Sequence, residues 1–217
     1  MTNLRLRYQT LEFGDTDIHL CTLRDKQQFH DQGGVAKKLG ISSAFWPLFG
    51  VIWPSSLVLA HYIHDYDTVS KRILEVGCGI ALSSLLLNKR YADITATDYH
   101  PEAEKFLQRN TLLNEGEAIA FERVAWEDKN DSLGLYDLII GSDLLYEDHH
   151  VSLLSNFMAK HSKQECEIIV VDPGRGFKNK LSTRMMEYGF SSYHHKPSGT
   201  DDYLDQKFNG HIITFKR

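Results

Sequence analysis

Cysteine is scarce in this chain of 217 residues: Cys21, Cys78 and Cys166 stand far apart and share no metal-ligand spacing. That scarcity argues against a disulfide scaffold and fits reduced thiols in a cytoplasmic protein. Positive charge is not in excess, since 24 Lys and Arg against 29 Asp and Glu leave a net charge of -5. Pairs such as Lys37-Lys38 are too sparse to form a basic patch, which disfavours nucleic acid as the main partner. The first ten residues, MTNLRLRYQT, lack the apolar core of a signal peptide. The most apolar window, Ala44 to Ile63, is broken by Pro47, Pro54, Ser55 and Ser56, so it reads as a loop and a buried helix and no membrane span is expected. His-x-x-x-His, Gly-x-Ser-x-Gly and Walker-type loops are all missing, leaving hydrolase and nucleoside-triphosphatase readings unsupported. Among the 11 histidines, the adjacent pairs His149-His150 and His194-His195 point their rings apart on strand or helix. No metal is expected.

What the chain does carry is a strand–glycine turn–helix unit. Arg72 to Val76 is a short apolar run that reads as a buried parallel strand, and it leads directly into Gly77-Cys78-Gly79. Ile80 to Lys89 follows with a helical apolar pattern and no further glycine or proline. A second strand, 92–97, then delivers Asp98 nineteen positions after Gly79, where a carboxylate can bond a ribose hydroxyl. A dinucleotide fits poorly. The third glycine of its fingerprint is replaced by Leu82, and Glu75 on the strand would repel a pyrophosphate while attracting a cationic amino group. S-adenosylmethionine has an ammonium, a ribose and no phosphate, so it is the expected cofactor.

Strands at 72–76, 92–97, 119–124, 136–142 and 166–171 alternate with helices near 55–66, 80–89, 101–114, 148–162 and 176–188. This is the pattern of an α/β, doubly wound, mostly parallel sheet. A last pair of strands, about 190–195 and 208–215, makes an antiparallel C-terminal edge and brings the sheet to seven strands. Ahead of this, Tyr8 to Phe13 and Asp17 to Leu23 flank Gly14-Asp15 as a hairpin, and Asp25 to Gly40 reads as a loop or short helix. Residues 1–45 are therefore expected to form an N-terminal extension with a possible lid, and residues 46–217 the cofactor-binding domain.

The stretches FGVIWPSSLVLAHYI (49–63), KRILEVGCGIALSSLLL (71–87), ITATDYHPEAEKFLQRNTLLN (94–114), VAWED (124–128) and YDLIIGSDLLYEDHH (136–150) resemble the class I, seven-strand methyltransferases. Within that class they resemble the family 16 protein-lysine methyltransferases, over roughly residues 45 to 175. The glycine motif is common to the whole class. Asp143-Leu144-Leu145-Tyr146 is more specific, because it is similar to the family's Asp-x-x-Tyr signature, whereas base-amino and glutamine methyltransferases carry Asn/Asp-Pro-Pro-Tyr.

The resemblance implies a methyltransferase acting on a lysine amine of a protein partner, with a small molecule or RNA as the alternative acceptor and a catalytically silent cofactor-binding protein as a third reading. Asp143 and Tyr146 are the expected catalytic pair: a carboxylate to hold an ammonium, and an aromatic face with a hydroxyl to orient its nitrogen. Trp53, Glu75, Gly77, Gly79, Asp98, Trp126 and Ser142 are the expected cofactor contacts, Trp126 beside the adenine and Trp53 at the methionine end. Arg175, in the turn Asp172-Pro173-Gly174-Arg175, can bind an acidic group of a partner or stand solvated. A monomer is expected.

Overall fold

The computed structural model describes residues 5–25, 31, 33–44 and 46–217, so parts of the stretch expected to form a loop over 25–40 lie outside the described residues. Two sheets are present among the described residues. The first pairs β1 (Leu6–Phe13) with β2 (Thr16–Leu23) across Gly14, an antiparallel hairpin in register from Leu6–Leu23 to Phe13–Thr16. The second has seven strands. β3 (Arg72–Val76), β4 (Asp93–Asp98), β5 (Ala120–Arg123), β6 (Tyr136–Ser142) and β7 (Ser162–Asp172) are parallel; β8 (Ser191–His195) and β9 (His211–Lys216) are antiparallel. Their order across the sheet is β5-β4-β3-β6-β7-β9-β8.

The central strands are mostly buried and largely apolar because helices cover both faces. Ile73, Leu74, Ile139, Ile140, Ile168 and Ile169 are fully buried. The helices between strands are α2 (Pro54–His64), α3 (Leu82–Lys89), α4 (Ala103–Leu113), α5 (Asp148–His161) and α6 (Lys178–Glu187); a single turn, α1 (Val35–Lys38), follows the hairpin. One face of the sheet packs Val58, Leu59, Ile63, Leu85 and Leu86 together with Phe13, Ile18 and Leu20 of the hairpin. The other packs Leu154, Phe157, Leu181, Met185 and Phe190.

The last two strands form the expected antiparallel edge pair, with β9 lying between β7 and β8 and β8 at the rim. β7 starts earlier than expected, at Ser162, because Ser162 pairs with Tyr136 before the register shifts between Tyr136 and Leu138. The hairpin rests on the helices. Asn114 accepts a bond from the His19 amide (2.8 Å) and donates one to its carbonyl (2.7 Å), and Asn110 accepts from the Cys21 amide (2.7 Å). Among the described residues no helix is long and apolar enough to cross a membrane.

Candidate active site

Sheet order places β3 and β6 side by side where the connections reverse direction, and a crevice opens there beyond the strands' carboxyl ends. The chain lines it with a cavity of about 480 Å³, inside the range of about 300–1,000 Å³ usual for small-molecule sites.

The glycine turn shapes its floor. Gly77 (φ 62) and Gly79 (φ 56) hold left-handed backbone, and Ala81 (φ 60) does the same just before α3. That last residue is why α3 begins at Leu82. A Cβ at Gly77 would lie 2.5 Å from Leu144 Cδ2, and one at Gly79 would lie 3.0 Å from the Phe49 carbonyl oxygen. Larger residues are thus barred on both steric and conformational grounds.

Asp98 ends β4 over this turn. Its carboxylate accepts the Gly79 amide (2.8 Å) through one oxygen and the His100 amide (2.7 Å) through the other. Burial raises its pKa, and these backbone bonds oppose the rise. Each oxygen keeps a second acceptor position for a ligand hydroxyl.

Glu75 behaves differently from the sequence expectation. Its side chain does not line the cavity; it is 4% exposed and accepts both the amide (3.0 Å) and the hydroxyl of Ser84 in the first turn of α3. Burial pushes its pKa up to about 7, with the Ser84 bonds lowering it and Asp98 adding to the rise. Because side chains alternate along a strand, Glu75 faces the helix layer and fastens α3 to β3.

Trp53, Trp126, Ser142, Asp143 and Tyr146 all line the cavity, as do Gly77, Gly79 and Asp98. The Trp53 indole donates to the Leu48 carbonyl (2.9 Å), which fixes it at the entry to α2. Trp126 meets His150 edge-on with centroids 5.6 Å apart, and His150 meets Tyr146 the same way at 6.4 Å. The Asp-x-x-Tyr tetrad is folded tightly. Asp143 adopts φ 55, a conformation Asp tolerates better than most residues, and its amide donates to the Val171 carbonyl (2.9 Å). Leu144 then packs over Gly77 and Gly141, where added Cβ atoms would lie 2.5 and 2.7 Å from it. Tyr146, half-buried, has its pKa raised to about 12 by desolvation and by Asp98. Its phenol is neutral at physiological pH.

Sequence reasoning missed several wall residues. His100 is buried, stacks on Phe49 at 4.0 Å, and has its pKa driven down to about 4 by desolvation, so it is uncharged. Leu39, Gly40 and Ile41 contribute a further wall, held by the Tyr99 hydroxyl donating to the Leu39 carbonyl. His149 and His150 at the start of α5 also line the cavity. Arg175 is exposed but not free: it forms an ion pair with Asp143, and its guanidinium carbon lies 4.4 Å from the Tyr146 ring centroid.

The sequence model of one family, described as lysine methyltransferase, matches residues 47–187. Among curated relatives, the chain is 30% identical over 118 residues to the protein N-lysine methyltransferase METTL21A of Danio rerio, covering 51% of this chain and 50% of that protein. It is 33% identical over 103 residues to the histone-arginine methyltransferase METTL23 of Xenopus laevis, covering 44% of each. The matching stretch therefore spans about half the length of these relatives. In fold the chain is similar to the 16S rRNA N2 G1207 methyltransferase RsmC of T. Thermophilus, with a TM-score of 0.68 at 12% identity, over 98% of this chain and 51% of that one.

Proposed function

The chain belongs to the lysine methyltransferase family, and from that premise we propose that it transfers a methyl group from S-adenosylmethionine to a lysine side-chain amine of a protein substrate. The observation that carries this reading is the meeting, in one cavity, of the Gly77–Gly79 cradle and Asp98 with the Asp143–Tyr146 pair. The residues fit the cofactor. The glycines hold the left-handed turn that brings bare backbone to the cavity, and Asp98 keeps acceptor positions for the ribose hydroxyls. Trp126 and the uncharged His100 offer apolar faces for an adenine, and Trp53 and Ser142 stand as further contacts. Bound there, the cofactor supplies an electrophilic methyl on a sulfonium.

The protein's own task is to present a nucleophilic nitrogen. A free lysine has a pKa of about 10.4 and arrives protonated. Asp143 attracts that ammonium, and the apolar walls of the cavity strip its water and favour loss of the proton to solvent. Tyr146 stays neutral because its pKa is raised to about 12. It therefore acts through its ring face and as a hydrogen-bond partner that orients the nitrogen lone pair, and not as a base.

A protein arginine is the second reading. A relative is named a histone-arginine methyltransferase, and the Asp143–Tyr146 pair accommodates a guanidinium, that of Arg175. The test of the main reading is calorimetry combined with kinetics. S-adenosylmethionine and its demethylated product should bind and NAD should not. Tyr146→Phe should slow transfer while leaving cofactor affinity unchanged. Tight NAD binding, or full turnover in Tyr146→Phe and Tyr146→Ala alike, contradicts it.

A further inference from the structure

The Asp143 carboxylate is 5% exposed at the end of β6, and Arg175 reaches it from the end of β7. The strands are hydrogen-bonded neighbours, Ser142 opposite Val171, so their following turns meet. The same guanidinium covers the Tyr146 ring at 4.4 Å. A buried carboxylate and an aromatic face are the two things a cationic acceptor side chain requires, and here one cation of the chain itself holds both.

Arg175 is also placed to leave. Its side chain is 33% exposed, and it lies between Gly174 (φ 101) and Gly176 (φ 91). Among the described residues, a Cβ added at Gly176 would meet nothing within 4 Å, so none of them packs against that side of the turn. The anchor at its start is a bond from the Gly174 amide to the Asp172 carboxylate (2.9 Å), which lies before the arginine. Rotation at the two glycines can carry the guanidinium into water without disturbing β7.

Resting on the reading that Asp143 and Tyr146 receive the acceptor, we propose that Arg175 is a specificity-determining residue that occupies the acceptor-cation subsite until a cationic side chain displaces it. Entry then requires a group able to compete with a guanidinium for Asp143. Neutral molecules are rejected, and every cationic acceptor binds with an affinity reduced by the fraction of time the arginine is away.

The test uses the full chain saturated with S-adenosylhomocysteine. n-Butylammonium, n-butylguanidinium and neutral 1-butanol are titrated separately while the Leu144 methyl resonances are followed by NMR. Arg175→Ala should bind both cations about tenfold more tightly than wild type, with butanol unchanged. Arg175→Gln, which keeps the length of the side chain and discards its charge, should gain similarly. The gain should vanish in Arg175→Ala combined with Asp143→Asn. Equal or weaker cation binding in both single variants would overturn the proposal, as would a gain that persists without the Asp143 charge. Calorimetry of S-adenosylhomocysteine on the wild type separates the two levels. Binding there with no gain in the variants removes this inference alone, whereas no binding at all removes the methyltransferase reading and the inference with it.

Discussion

Replacing Glu75 by Gln removes a proton-binding group from the layer between β3 and α3 while keeping its shape. The folded-state pKa is about 7 against 4.5 for the free side chain, because the carboxylate is buried. Between those two pH values the folded protein holds a proton that the unfolded chain has already lost, so this group's contribution is fully present below pH 4.5. It is lost as pH rises through 7. The difference of about 2.5 pH units, at about 1.4 kcal/mol each, corresponds to roughly 3 kcal/mol. The substituted side chain cannot ionise, and its amide oxygen can accept the two Ser84 donors as the carboxylate does. Urea unfolding of both proteins at pH 4.5, 6 and 8 should therefore show Glu75→Gln gaining on the wild type by about 3 kcal/mol across the series, with unchanged m-values. Affinity for S-adenosylmethionine at pH 7.5 should stay near wild type, since Glu75 faces Ser84 and not the cavity. A stability difference that is constant with pH would refute the burial argument. A tenfold loss of cofactor affinity would return Glu75 to the ligand site.

Three further outcomes are expected. Gly77→Val places a branched side chain at φ 62, against Leu144 at 2.5 Å; calorimetry should show no cofactor binding, and unfolding should show a loss of about 1–3 kcal/mol. Asp98→Ala removes the partner of the Gly79 and His100 amides and the proposed ribose acceptor together, and should weaken S-adenosylmethionine by about 1–3 kcal/mol in the same assay. Asn114→Ala strands the His19 amide and carbonyl and should cost about 1–3 kcal/mol of stability by urea unfolding, with cofactor affinity retained because the hairpin lies on the helices.

The parallel strands were legible because strands buried on both faces are rich in apolar residues, and 72–76 and 136–142 coincide with β3 and β6. The insertion of β9 between β7 and β8 was not legible, since two strands joined by a turn read as a hairpin whichever one lies outside. Glu75 was misplaced for a related reason. A carboxylate two residues before a glycine loop looks available to a ligand until its partner, Ser84, is seen to face back from the first turn of the next helix. Gly77, Gly79, Asp98, Asp143 and Tyr146 are found together because each ends or follows a strand at the same sheet edge, a placement that topology dictates. The Phe49–His100 stack and the Arg175–Asp143 pair depend on how separate loops settle on one another, which local pattern does not encode.

The most direct measurement is the identity of the methylated atom. Wild-type protein and Gly77→Val are incubated with S-adenosylmethionine labelled on its methyl group and a cell lysate, and the labelled species are analysed by mass spectrometry. The account predicts label on the Nε of lysine in one or a few proteins, absent with Gly77→Val. Label confined to arginine would transfer the conclusion to the guanidinium reading. Label on RNA or a small metabolite, with no protein labelled, would contradict the protein-methylating function altogether.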